Sequence, residues 1–261
     1  MKQRNKFVDF VAKQNYIREL SIPEHIILWT NVVLSLTFFV VQLAWLHTYN
    51  EWPTWLSFFA SVISIFSVMG GAKQRIICPF LGMIASIFLA IIAVHNKLFG
   101  TLITYCFNFV MQLTTLIIWY RVSNNKVSIQ PKHWKWWWVL TYIVGFIALS
   151  LLFAWVETFP NFQEWWFNGE KQPLHLLVFD STLLMFTIAA AFPIFKRYDF
   201  VWITYIIADA AMAAMWITKG VTHTNVADQF NDWTMLVCGL SMLATCILGL
   251  INWMKLSRNK A

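Results

Sequence analysis

The sequence predicts an all-α integral membrane protein with eight transmembrane helices: two parallel three-helix repeats joined by a linker helix, plus one extra N-terminal helix. Composition is the first reason. Of 261 residues, 59% are hydrophobic and only 12% charged, with 16 Trp and 23 Phe; a soluble core of this length needs far less apolar material. The second reason is the spacing of apolar runs. Eight of them, at 26–46, 55–72, 77–94, 98–120, 136–156, 174–195, 201–218 and 233–254, have the length of about 17 to 25 residues that crosses a bilayer as a helix.

The third reason is the alternation of charge between successive connections. One side collects Lys2, Arg4, Lys6, Lys13 and Arg18, then Lys73 and Arg75, then Arg121, Lys126, Lys132 and Lys135, then Lys196 and Arg197, and finally Lys255, Arg258 and Lys260. The other side holds only Lys97, Lys171 and Lys219, among Glu51, Glu157, Glu164, Glu170, Asp228 and Asp232. Positive charge stays cytoplasmic, so both termini are expected there. The net charge of +7 is then a matter of orientation and anionic lipid, and no basic stripe remains to suggest nucleic acid.

Taken in order, residues 1–25 are polar and basic and read as a cytoplasmic segment. The first apolar run starts too late, and lacks the small-residue cleavage site, for a removed signal peptide. Residues 26–46 form the extra helix. Residues 55–121 form the first three-helix repeat, 136–156 the linker helix, and 174–254 the second repeat. Each repeat has a helix, a short basic turn (Gly71 to Arg75, Lys196 to Asp199), a second helix, an outer loop, and a third helix ending near Trp119 or Trp253. Three is odd, so the intervening linker makes the two copies parallel about an axis normal to the membrane. Trp165, Trp166 and Phe167 mark an outer interfacial loop; Trp134, Trp136, Trp137 and Trp138 mark the inner belt.

Asp209 is the residue that points to a site. It lies in an apolar span, where a charge costs roughly 2.5 to 3.5 kcal/mol on insertion scales, and shares a helical stripe with Trp202, Tyr205 and Trp216. Asn108 and Gln112, at i and i+4, reach a similar depth and offer amide donors and acceptors. Asp180 lies nearer the outer end of its helix, where a structural role with Ser181 or Thr182 is an equal alternative. Interhelical hydrogen bonding is the alternative for Asn108 and Gln112. The four cysteines, Cys78, Cys106, Cys238 and Cys246, have no CxxC spacing and read as plain apolar side chains.

The stretch FDSTLLMFTIAAAFPIFKRYDFVWITYIIADAAMAAMW, residues 179–216, resembles the PnuC transporters of nicotinamide riboside, an NAD precursor. It has their aromatic-Asp-Ser opening, a basic turn, and a Trp-x-x-Trp-x-x-x-Asn/Asp pattern reading Trp202, Tyr205, Asp209. Leu98, Phe99 and Gly100 open a similar helix that closes at Trp119, and the likeness covers 55–254. Two departures stand out. Tyr205 replaces the usual Trp, and Gln112 and Thr115 replace a common Asn and Gly. The resemblance implies a SWEET-like 3+1+3 fold and uptake of nicotinamide riboside by facilitated diffusion, trapped by cytoplasmic phosphorylation. It also implies a homotrimer in the bacterial inner membrane, with no cofactor and substrate contacts from Trp202, Tyr205, Asp209, Gln112, Asn108, Trp216, Asp180 and Trp119.

Cavity chemistry fits that substrate. Aromatics can stack on a pyridinium cation, Asp209 can balance it, and no span holds a Lys or Arg to receive a phosphate. Thiamine, riboflavin and a proton-coupled carrier using Asp209 are the alternatives. No P-loop pattern is present. The six histidines lie at helix ends or in loops, against a membrane enzyme, and no mid-membrane Lys exists for a retinal Schiff base.

Overall fold

The computed structural model describes residues 16–47, 51–73, 75–123, 132, 134–167, 169 and 171–258. Lys2, Arg4, Lys6, Lys13, Gln74, Lys126, His133, Glu170 and Lys260 lie outside them. Among the described residues there are nine α-helices: α1 (Ile22–Ala44), α2 (Trp52–Ala72), α3 (Ile77–His95), α4 (Phe99–Ser123), α5 (Trp136–Glu157), α6 (Pro160–Phe167), α7 (Leu174–Lys196), α8 (Val201–Thr222) and α9 (Val226–Arg258). All but α6 are long and apolar enough to cross a membrane. The expected fold class is borne out.

Helix boundaries follow local chemistry more than hydropathy. α1 starts at Ile22, before its apolar run, because Ser21 and Glu24 form a capping box with Pro at the first helical turn. α9 starts well before residue 233. Asn225 Oδ1 accepts from the Ala227 N–H at 2.9 Å, and Asp228 sits in the first turn, so a polar segment continues the helix. Its 33 residues exceed the length needed for a bilayer core of about 30 Å. α6 has no counterpart in the sequence reading beyond its aromatic content. Phe99 packs edge-on to Phe162, Trp165 and Trp166, and Trp166 Nε1 donates to Lys97 O at 3.2 Å, seating α6 over the loop between α3 and α4.

α2, α3 and α4 pack as consecutive neighbours, and so do α7, α8 and α9. The two groups meet along two seams, α4 against α7 and α2 against α9. The third helix of each group thus meets the first of the other. α5 packs on α7, and α1 packs across α2 and α9. Only 22% of the α1 span and 17% of the α5 span are buried, against 61% for α7, so α1 and α5 lie at the periphery. Small residues make close approach possible on α2, where Ser57, Ala60, Ser61 and Ser64 are buried. Ser61 meets Ser35 of α1 at 2.8 Å, Oγ to Oγ.

The α4–α7 seam carries a buried polar latch. Asp180 is 2% exposed and accepts from the backbone N–H groups of Gly100 and Thr101, each at 2.7 Å, and from Thr101 Oγ1. It therefore caps the N-terminus of α4 from a neighbouring helix, where the helix dipole favours a carboxylate. Asp180→Ala leaves these donors unpaired in an apolar setting. The expected cost is about 2 kcal/mol, read as a lower unfolding midpoint in detergent; an unchanged midpoint would contradict the latch.

Candidate functional site

Between the two helix groups lies a cavity of about 100 Å³. α2, α3, α4, α8 and α9 contribute most of its wall, and α7 adds Ile194. Six of the eight expected residues line it: Asn108, Gln112 and Trp119 from α4, and Trp202, Tyr205 and Asp209 from α8. The helical stripe is the reason. Positions 202, 205 and 209 turn to one side of α8, and 108 and 112 to one side of α4.

Trp216 and Asp180 lie elsewhere. Trp216 is two turns beyond Asp209, about 10 Å further along α8, and is buried with Ile92 and Met235 beside a small separate pocket. Asp180 faces α4's first turn, as described above. The helical stripe continues through Trp216, but the cavity ends below it.

One end of the cavity is aromatic. Trp202 stands edge-on to Trp253, with ring centres 5.6 Å apart at 81°. Trp119 lies 6.4 Å from Trp253, and Tyr205 lies 6.2 Å from Trp202. Trp119 Nε1 reaches Ile194 O at 3.5 Å. Trp253 was absent from the expected site, although its equivalence to Trp119 at the end of a third helix was the available signal. Gly249 permits this packing. A Cβ there would stand 2.7 to 2.8 Å from the Trp202 indole, too close for any side chain.

Polar groups cluster next to the aromatics. Asn108 Nδ2 donates to Ser86 Oγ at 2.8 Å, and Gln112 Nε2 donates to Asn108 Oδ1 at 3.3 Å, forming a short amide chain along α4. The Cys246 thiol donates to Asp209 Oδ2 at 3.1 Å. The reading of the cysteines as plain apolar side chains therefore fails for Cys246, which crosses from α9 to orient the acid, and Cys78 joins the lining. Hydropathy cannot show this, because the contact depends on how two helices are rotated against each other.

Five buried polar atoms in the lining have no hydrogen-bond partner among the described residues: Ser64 Oγ, Gln112 Oε1, Trp202 Nε1, Tyr205 OH and Trp253 Nε1. Buried polar groups are normally paired, and their clustering around one space marks a place for a ligand with complementary groups. The lining contains Asp209 as its one acid and no Lys, Arg or His. Such a site suits an aromatic, neutral or cationic ligand rich in hydroxyl or amide groups.

Residues 54–255 match the family model described as Nicotinamide mononucleotide transporter. The chain belongs to that family. The resemblance to PnuC transporters is borne out, and the molecule is a multi-pass membrane transporter. It is also similar to the crystal structure of the vitamin B3 transporter PnuC, with a TM-score of 0.67 over 93% of this chain and 94% of that one. At 19% identity that likeness establishes the shared fold. No curated protein matches significantly.

Gly249→Ala tests the aromatic end of the family member's cavity. Overpacking against Trp202 should cost about 1 to 3 kcal/mol, seen as a lower thermal midpoint, whereas Gly145→Ala, which meets nothing within 4 Å, should not lower it. Equal effects would show that Trp202 is not held against Gly249.

Proposed function

We propose that this transporter imports nicotinamide riboside, bound between two parallel three-helix repeats (55–121 and 174–254) linked by 136–156. The carrying observation is the cavity's combination of indoles, a single acid and unpaired amide and hydroxyl groups. Trp202 or Tyr205 stacks on the pyridinium, with Trp119 and Trp253 closing that end. Asp209 supplies the countercharge, and Asn108 and Gln112 address the carboxamide or ribose. The space is ring-sized, so the rest of a nucleoside requires Gln112 or the indoles to swing aside.

The family description names a mononucleotide. The lining offers no cation to a phosphate, and a phosphate dianion beside the Asp209 carboxylate would be repelled. The nucleoside is therefore the better ligand for this chain. The structural neighbour is a vitamin B3 transporter, which supports a cargo of the nicotinamide class. Tyr205 offers a hydroxyl where the resembled sequence pattern has a Trp, and that hydroxyl is one of the unpaired groups. It is suited to a ribose oxygen.

A single acid in the lining supports facilitated diffusion, with cytoplasmic phosphorylation trapping the product. The alternation of Lys and Arg supports cytoplasmic termini, and the family supports a bacterial inner membrane. A homotrimer would use the exposed faces of peripheral helices. Trp216 and Asp180 are assigned structural roles in this reading.

Ligand binding to the purified protein tests it. Trp202→Ala should weaken nicotinamide riboside binding by about 2- to 30-fold, the range of a cation–π contact of 0.5 to 2 kcal/mol, Asp209→Asn should weaken it by removing the countercharge, and thiamine and riboflavin should bind more weakly than nicotinamide riboside. Unchanged affinity in both variants would remove the stripe from the site. An Asp209→Asn carrier that equilibrates substrate but no longer responds to a pH gradient would replace uniport with proton coupling.

A further inference from the structure

A second pocket, of about 390 Å³, lies at the Lys- and Arg-rich end of the molecule, where the turn between α2 and α3 meets the last turns of α9. Lys73, Arg75, Lys255, Asn252 and Glu19 are its polar lining. Its chemistry is opposite to that of the central cavity, with three cations against one acid.

These groups are unequally engaged. Lys73 is paired with Glu24 at 2.7 Å, and Glu24 also accepts from Ser21 N–H, Ser21 Oγ and Asn252 Nδ2, so that carboxylate is fully used. Arg75 pairs through Nη2 with Glu19, while its buried Nε has no partner among the described residues. The Arg75 residue is only 9% exposed, which fixes its planar fork in place. Lys255 pairs with no acid among the described residues. Glu19 is the most exposed partner: its side chain is 54% exposed, on a 3-10 turn of three residues, Ile17–Glu19.

A guanidinium satisfied on one nitrogen by a displaceable carboxylate is half of a bidentate oxyanion site. We infer that this pocket binds a phosphate group, which replaces Glu19 on Arg75, engages Nε and Nη2 together, and is completed by Lys255 and the remaining amide N–H of Asn252. The phosphate comes either from an anionic lipid headgroup or from a soluble sugar phosphate. Glu19 occupies its place on Arg75. Phosphate recognition is then placed at the basic mouth and kept out of the central cavity. The inference does not depend on which substrate that cavity carries.

The full-length protein in phosphatidylcholine nanodiscs provides the test, with thermal unfolding followed in ribose 5-phosphate and in ribose. A soluble-phosphate site raises the midpoint by at least about 2 °C with ribose 5-phosphate and not with ribose. A headgroup site instead gives that gain when phosphatidylglycerol replaces part of the lipid, with no further gain from ribose 5-phosphate. In either case Lys255→Gln, an exposed substitution, should weaken the response at least threefold in half-saturating concentration. Glu19→Gln should strengthen it, and Asp209→Asn should leave it unchanged, separating this pocket from the cavity. No phosphate-dependent gain from either source, or a gain indifferent to both Lys255→Gln and Glu19→Gln, would overturn the inference.

Discussion

Asp209 is 3% exposed, and its hydrogen-bond donor among the described residues is the Cys246 thiol at 3.1 Å. A thiol is a weak donor. Most of the cost of taking the carboxylate out of water is therefore left uncompensated within the protein. A cationic or hydroxyl-rich ligand can supply the missing partner, and so the same deficit that makes the residue expensive makes it useful. The unpaired Gln112 Oε1, Tyr205 OH and two indole N–H groups extend that logic around the cavity wall. Each is a polar atom the fold leaves for something else to satisfy.

Keeping such a space open in a tightly packed bundle requires rigid surroundings. The α4–α7 seam provides one fixed boundary through Asp180 on the first turn of α4. At the same end of the bundle, Lys219 Nζ donates to Asn96 O at 3.0 Å and His223 Nδ1 meets Asp232 at 2.6 Å. At the basic end, Tyr16 OH donates to Phe66 O at 2.6 Å while Glu24 ties α1 to Lys73 and Asn252. Polar contacts thus fasten both ends, while the cavity wall combines aromatic and apolar contacts with the Asn108–Ser86 and Cys246–Asp209 hydrogen bonds. Apolar contacts of this kind slide more readily than hydrogen-bonded ones break, which suits a carrier whose central side chains must part.

Much of this was legible in the sequence because the bilayer imposes a simple rule on it. Length and hydropathy located every span, and the helical stripe of residues 202, 205 and 209 survived intact, since positions on one helix keep their relative direction wherever that helix packs. What escaped depends on relations between helices. Cys246 reads as an apolar residue until α9 is set against α8, and Gly249 reads as a helix residue until Trp202 is laid on it. Trp216 was misplaced because a stripe carries no information on where a cavity stops. α6 and the early start of α9 depend on capping and aromatic contacts that hydropathy does not weigh.

The claim that an acid and aromatics, without a cation, select the nucleoside over its phosphate is tested most directly by uptake. Proteoliposomes holding this protein would be offered labelled nicotinamide riboside or labelled nicotinamide mononucleotide at equal concentration. Saturable uptake of the riboside with none of the mononucleotide is the expected result. Equal or preferred uptake of the mononucleotide would contradict the account.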